Sequence, residues 1–313
     1  MIRDLIKDDI QSNNNFQSVF PGTICMKDIT QHALNSGKRL RSIIIWCMAE
    51  KYHCSAAAEH FALFIEYVHN ASLIVDDLPC MDNDFDRRGV PTVHAKYGEH
   101  VAQLSAYNLM ITAMKHLNDG FRLLRSTRSD QSADDQDEFN QIFDMINDEI
   151  TVGLGYQGIC GGQLLDLLIC KDKDLQTRSK REQRELILKT IRLKTGCLFG
   201  VSFALGWLCK DRFPIKYLSQ IKEAGYGFGT CYQIIDDLRD VDKDTEKNGG
   251  YNNICKYFTL NEIIDLFSDR METFSTVITQ YDLWNDTLHE LYNYMLQSFR
   301  KEIKDIKSRN GRS

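Results

Sequence analysis

Small and apolar residues recur three and four apart in Phe61-Phe64-Ile65-Val68-Ser72-Val75, and again in Ile187-Ile191-Lys194-Leu198-Val201-Leu205. That spacing marks one face of an α-helix. No alternating, β-branched runs bounded by tight turns compete with it. The only prolines are Pro21, Pro79, Pro91 and Pro214, so long stretches carry no strong helix breaker, and the pattern predicts an all-α fold. Ser126 to Gln141 is polar and acidic and reads as a solvated interhelical loop or a helix start. Helical patterning resumes on both sides of it, which predicts a single domain over 1–313. Its core runs from about 20 to 300, with a polar tail, Lys301 to Ser313, expected to fray. No fixed-period repeat is present.

A chain of 313 residues, 43% hydrophobic and 26% charged, can bury a large core. Its formal charge of -6 and pI near 5.8 argue against a nucleic-acid partner, which asks for a clustered surplus of Lys and Arg. Ten cysteines are scattered through apolar segments without a CxxC pair, so reduced thiols are expected rather than a zinc site or a disulfide framework. The N-terminal MIRDLIKDDIQSNNNF has no apolar core of the signal-peptide kind. Glu66, His69 and Asn70 interrupt the most apolar stretch, Phe61 to Val75, so no transmembrane segment is predicted and a cytoplasmic location is expected.

Two acidic pairs, Asp76-Asp77 and Asp236-Asp237, each end an apolar helical stretch. After the first, Pro79 disfavours helix at Leu78, and the chain can fold back to bring Asp82 near Asp76. In the second, Gln233, Asp236, Asp237 and Asp240 are three and four apart on one helix face, where like charges repel unless cations compensate. Mg²⁺, held by one or two carboxylates together with substrate phosphates, is a natural compensation, although an acidic exposed face or a helix N-terminus accounts for either pair alone. Cations concentrate at Gly37-Lys38-Arg39-Leu40-Arg41 and at Arg87-Arg88-Gly89. Arg offers a planar fork and Lys a mobile point charge to phosphate oxygens, yet a short basic run alone reads as a solvated patch. The order basic, acidic, basic, acidic implies two polyphosphate substrates in one cavity.

The stretch ASLIVDDLPCMDNDFDRRGVPTVHAKYGE, residues 71 to 99, resembles the first aspartate-rich region of the trans-prenyl diphosphate synthases. Its four residues between the paired and the third aspartate resemble the geranylgeranyl type in particular. SGKRLRS (36–42), FIEYVHNASL (64–73), GGQLLD (161–166), KTG (194–196) and YQIIDDLRD (232–240) resemble the remaining family blocks in order, so the likeness covers roughly residues 30 to 245.

The resemblance implies a helical bundle of the isoprenoid synthase type around a central cavity. It implies Mg²⁺, three ions per site, shared between the allylic diphosphate and Asp76, Asp77, Asp82, Asp236 and Asp240, with Asp237 beside them. Lys194, Thr195, Gln233 and Arg87 would complete the allylic site, while Lys38, Arg41, His69 and Arg88 would hold isopentenyl diphosphate. Without that context His69 reads as a core histidine; its place seven residues before Asp76 fits the family pattern. A homodimer is implied in the same way.

Ionisation of an allylic C–O bond needs the departing diphosphate neutralised, which metal ions, Lys and Arg can do. No GxSxG or HExxH motif suggests another chemistry. Positions four and five before Asp76, Ser72 and Ala71, are small where an aromatic residue would shorten the product, so geranylgeranyl diphosphate is predicted, with farnesyl or a longer chain as the alternative. A terpene cyclase or a catalytically silent subunit is disfavoured, because the GKRLR block and both acidic clusters are complete. Gly225-Tyr-Gly-Phe-Gly229 follows no strand and reads as close helix packing.

The sequence departs from the family at Ser105 to Met110, with Tyr107 in a run usually of small residues. It departs at Ser42, in place of a proline, with little consequence expected. The third departure is Val241 to Gly250, a shortened flap in which Lys247 is the candidate diphosphate ligand and Gly249-Gly250 would allow movement.

Overall fold

The computed structural model describes residues 1–18, 23, 25–49, 55–127, 133–209 and 215–310. Pro21, Pro214, residues 128–132 of the acidic segment and residues 311–313 of the tail lie outside the described residues. Helices dominate the described chain. The only strands among the described residues form a short antiparallel hairpin, in which Asp86–Arg87 (β1) pairs with Val90–Pro91 (β2). The chain divides into two compact units, Met1–Phe143 with Leu208–Asp211, and Asp144–Trp207 with Arg212–Ser313.

The first unit holds α1 (Ile2–Ser12), α2 (Met26–Ala33), α3 (Leu40–Ala49), α4 (Ser55–Asp76), α5 (Val93–Tyr97) and α6 (Glu99–Ser126). α4 carries the apolar stripe read from the sequence: Phe61, Phe64, Ile65 and Val68 are all fully buried. Its main partner is α6. Gly120 makes their close approach possible, since a Cβ there would stand 2.6 Å from the Phe61 ring. α1 buries Ile2, Ile6 and Ile10 and is fastened by Asp9, which accepts from the Tyr67 hydroxyl (2.6 Å) and from His116 Nε2 (3.2 Å). Burial alone would raise the Asp9 carboxyl, but the His116 and Tyr67 hydrogen bonds outweigh it and hold the group below the ordinary carboxylate range.

α7 (Ala133–Leu154) carries the chain into the second unit, which continues with α8 (Ile159–Lys171), α9 (Lys173–Gln176) and α10 (Lys180–Ile191). A π-helical turn, Arg192–Gly196, joins α10 to α11 (Cys197–Leu208); α12 (Leu218–Asn248), α13 (Leu260–Gln280) and α14 (Asp286–Asn310) follow. The 29-residue run Lys180–Leu208 is long and apolar enough to cross a membrane, but 83% of its apolar window is buried inside the protein, as in a core helix. The glycine pattern of α12 is helix packing. A Cβ at Gly225 would lie 2.9 Å from the Gly200 Cα, and one at Gly229 would lie 2.9 Å from the Gly196 Cα.

The polar tail differs from expectation. α14 stays helical to Asn310 because Met295, Phe299 and Glu302, four and three residues apart, continue one buried face. Glu302 is burial-compatible there because it pairs with Arg239 at 3.2 Å.

Candidate active site

In the first unit α4 ends at the paired aspartates and the chain turns back, as the position of Pro79 predicts. The Leu78 N–H donates to the Val75 carbonyl (3.2 Å), Asp82 N–H to the Asp76 carbonyl (3.0 Å) and Asp84 N–H to the Asp77 carbonyl (3.2 Å). Asp82 thus returns to Asp76. The two aspartates of the pair, however, face different surroundings. Asp77 is buried and held in the fork of Arg87, whose Nε lies 2.9 and 3.1 Å from its two oxygens and whose Nη2 lies 2.6 Å from Oδ1. Burial pushes the Asp77 carboxyl up and Arg87 pulls it down, with a net rise. Asp76 is 3.8 Å from the same Nη2.

The basic residues gather around α4. Arg41 Nη1 is 3.3 Å from His69 Nε2. Burial, with Arg41, Arg88, Arg87 and Arg39 nearby, holds the His69 imidazole well below its ordinary pKa, so it is neutral at physiological pH and can accept from Arg41. A Cβ at Gly37, where φ is +136°, would stand 2.8 Å from Arg88 Nη1, so glycine there both permits the turn and makes room for the guanidinium. Lys38 is exposed beside it.

Arg39, Glu66 and Ser42 form a buried clamp that sequence reasoning did not assign. Arg39 Nη1 meets Glu66 Oε2 at 2.7 Å and its Nη2 donates to the Leu34 carbonyl. The Ser42 hydroxyl lies 2.8 Å from Glu66 Oε1 and 3.1 Å from the Ala62 carbonyl. Ser42, expected to matter little, therefore helps to fix the loop that presents Lys38 and Arg41. The available signal was Glu66, a charge inside an apolar helical stripe.

In the second unit the acidic cluster lies on α12. Asp237 is buried, accepting from Gln233 Nε2 (2.7 Å) and from the Ile254 N–H (3.0 Å). Burial outweighs those donors and pushes its carboxyl up to about 8. The Thr195 hydroxyl donates to Gln233 Oε1 at 2.7 Å. Asp236 is more open, with Arg239 Nη1 at 2.8 Å, and Asp240 is half-buried. The repulsion anticipated among these carboxylates is thus relieved in part by Arg239 and by the high proton affinity of Asp237.

Lys194 sits on the π-turn, a device common at functional sites, and its Nζ is 2.6 Å from Asp166 Oδ2. That contact depends on Gly162, where a Cβ would stand 2.3 Å from the Lys194 backbone nitrogen. Asp166, the last residue of the GGQLLD block, is a second partner the sequence reading left unassigned.

The segment expected to be a mobile flap is instead further helix. α12 runs to Asn248, with Lys247 exposed in its last turn. Gly249 and Gly250, both left-handed, cap it by donating to the Thr245 and Asp244 carbonyls at 3.0 Å. Asn253 then pins the next turn, donating to the Asp237 carbonyl and to Asp244 Oδ2, each at 2.8 Å.

Among the described residues, no three His, Cys, Asp or Glu side chains converge on a ready-made metal cage. Asp76 and Asp82 in the first unit, and Asp236 and Asp240 in the second, offer only hard carboxylate oxygens. Each pair by itself fits an ion that keeps waters and completes its shell with substrate phosphates.

The fold is the all-α isoprenoid synthase fold. It matches the crystal structure of a geranyltranstransferase from Thermotoga maritima, with a TM-score of 0.71 at 21% identity over 97% of this chain and 98% of that one. A geranyltransferase from Helicobacter pylori, complexed with magnesium and isoprenyl diphosphate, matches with a TM-score of 0.68 at 23% identity over 95% of each chain. The chain belongs to the polyprenyl synthetase family, matched over residues 24–254, and is a prenyltransferase of the trans-prenyl diphosphate synthase type. It is 31% identical to the farnesyl diphosphate synthase of Buchnera aphidicola subsp. Schizaphis graminum over 73% of this chain and 71% of that one. It is also 31% identical to the geranylgeranyl diphosphate synthase of Pantoea ananas over 69% and 65%.

Proposed function

We propose that the protein condenses isopentenyl diphosphate head-to-tail with allylic diphosphates, releases pyrophosphate, and stops at geranylgeranyl diphosphate. The observation that carries the chain length is the pair Ala71 and Ser72. They lie roughly 6 to 8 Å before Asp76 along α4 at 1.5 Å per residue. Ala71 is buried, and the Ser72 hydroxyl is returned to the His69 carbonyl at 2.8 Å, so neither offers an aromatic stop to a growing chain. A farnesyl product is the second reading, favoured by the relatives named farnesyl diphosphate synthase. The test supplies labelled isopentenyl diphosphate, Mg²⁺ and dimethylallyl, geranyl or farnesyl diphosphate in turn. A C20 product abolished by EDTA is expected, and C15 as the end product from every starter would refute the C20 assignment.

Asp76, Asp82, Asp236 and Asp240 would hold Mg²⁺, in keeping with the magnesium complex of the H. pylori neighbour. Bound there, Mg²⁺ would neutralise the charge that develops on the departing diphosphate. Asp77 serves the site through Arg87, which it aims, and Asp237 through Gln233 and Thr195. Arg87, Lys194, Thr195, Gln233 and Lys247 act on the allylic diphosphate. Asp166 restrains the Lys194 ammonium, and an oriented cation costs less to reorganise when charge appears. Lys38, Arg41, Arg88 and neutral His69 bind isopentenyl diphosphate, and Arg39 with Glu66 and Ser42 fixes their loop. The double bond of isopentenyl diphosphate attacks the allylic carbon, and the released pyrophosphate is the base that takes the proton.

A cytoplasmic homodimer completes the reading. α6 exposes Leu104, Tyr107, Ile111 and Met114, at 60%, 63%, 67% and 39%, three and four residues apart on one face. Such an apolar stripe is a poor water-facing surface and suits a second copy. Sedimentation should give a dimer that Ile111→Glu dissociates; a monomeric native protein would refute it.

A further inference from the structure

The hairpin that carries Arg87 and Arg88 cannot hold its shape alone. Its strands are two residues each, too short for a hairpin that is stable in water. Its turn has positive φ at both central residues, +60° at Arg88 and +76° at Gly89, as a type I′ turn requires. That turn favours Asn, Asp or Gly at its first central position, and an arginine there is strained. Asp86 closes it by accepting from the Gly89 N–H at 3.0 Å, and the Thr92 N–H donates to the Phe85 carbonyl at 3.1 Å. Apolar packing beneath the hairpin is incomplete. A cavity of about 40 Å³, lined in part by Ala33 of α2, Ile74 of α4 and Val90 of β2, separates it from the helices.

Each strand is therefore fastened from outside, and by a different element. β1 is tied to α4 by the Arg87 fork on Asp77. β2 is tied to α2 by His32, whose Nε2–H donates to the Pro91 carbonyl at 2.7 Å. Lys96 of α5 donates to His32 Nδ1 at 3.3 Å, and the Tyr97 ring meets the imidazole edge-on with centroids 5.5 Å apart. An ammonium can only donate and a carbonyl can only accept, so these two partners select the imidazole tautomer protonated at Nε2. The segment that bears His32 continues five residues on into Gly37, where Arg88 Nη1 comes within 2.8 Å of the place a Cβ would occupy. One stretch of chain thus receives both β2 and the Arg88 side chain, immediately ahead of Lys38.

We propose that His32 is a positioning residue for isopentenyl diphosphate: it latches β2 to α2 and so sets Arg88 against the loop that presents Lys38 and Arg41. Arg87 does not depend on the latch, because Asp77 holds it from α4. Loss of the latch therefore weakens one diphosphate site and spares the other. The name of the ligand rests on the activity proposed above; the latch itself rests on the hairpin geometry.

The test compares the native protein with His32→Ala and His32→Gln. Binding of isopentenyl diphosphate alone is measured in EDTA by equilibrium dialysis, and kcat and KM for each diphosphate by elongation with Mg²⁺. His32→Ala should weaken isopentenyl diphosphate about fivefold or more in both Kd and KM. KM for geranyl diphosphate and kcat should stay within about twofold of native. His32→Gln, whose Nε2 amide can donate to the same carbonyl, should recover most of the loss. A histidine that only stabilised the fold would, on removal, lower the melting temperature and the active fraction without separating the two KM values. The proposal is overturned if the native protein binds no isopentenyl diphosphate, if both KM values rise together in His32→Ala, or if His32→Gln restores nothing. A protein that elongates while His32→Ala loses no affinity refutes the latch alone. One that shows the His32 dependence of binding but elongates no starter refutes the proposed activity alone.

Discussion

Adjacent aspartates of one motif should fail in different ways. Asp77→Asn removes the charge that holds Arg87 by three close contacts of 2.6 to 3.1 Å. Breaking a buried ion pair from one side costs about 3–5 kcal/mol. Here the Arg87 side chain is 30% exposed, Asn retains an acceptor, and the raised Asp77 pKa shows that its charge already carries a burial penalty. These discounts leave about 1–2 kcal/mol, or a fall in Tm of about 1.5–3 °C for a chain of this length. Asp76→Asn touches the same guanidinium only at 3.8 Å and should change stability by less, about 0.5 kcal/mol. In activity the order reverses: Asp76→Asn should lower kcat about 100-fold or more, while Asp77→Asn should mainly raise KM for the allylic diphosphate through the loosened Arg87. Thermal melts in EDTA, paired with elongation of labelled isopentenyl diphosphate, read both quantities. A melt of Asp77→Asn equal to the native one, or a larger fall for Asp76→Asn, would show that the fork does not organise the motif.

Ser72→Phe should shorten the end product from C20 to C15 on chromatography of the dephosphorylated chains, and an unchanged C20 would remove Ser72 from the chain-length argument. Ala71→Phe, at a buried position, should in addition cost about 1–3 kcal/mol by overpacking. Ser42→Ala should lower stability in urea by about 1 kcal/mol, because Glu66 loses a donor in a buried setting, and should raise KM for isopentenyl diphosphate; no change in either would reduce Ser42 to a filler. The contact of His60 Nδ1 with His116 Nδ1 at 2.9 Å admits one proton between the two nitrogens. Burial and His116 hold the folded His60 pKa below 6.5, so its contribution to stability is whole above pH 6.5 and is lost as the pH falls below that value. The Tm of the native protein should therefore drop between pH 7 and pH 5 more than that of His60→Asn, and parallel curves would exclude His60 as the source.

The sequence by itself determined what depends on neighbours along one chain segment. Three-and-four spacing defined the α4 and α10–α11 faces, Pro79 marked the turn after Asp76, and the order of charged blocks carried the likeness to the family. Those features are local, because helix periodicity and proline geometry act over a few residues. It did not reveal which aspartate of each pair turns inward, because that depends on donors supplied from elsewhere: Arg87 on a hairpin for Asp77, and Ile254, beyond the end of α12, for Asp237. Nor did it reveal the π-turn under Lys194, whose partner Asp166 is 28 residues away, or the continuation of α14, which hangs on Glu302 meeting Arg239. The flap was misjudged for the same reason. Gly249-Gly250 signals freedom in isolation, whereas a helix cap and the Asn253 side chain, closing on Asp237 and Asp244, fix that turn. Burial and hydrogen-bond satisfaction are properties of the assembled chain, so only the tertiary structure could assign them.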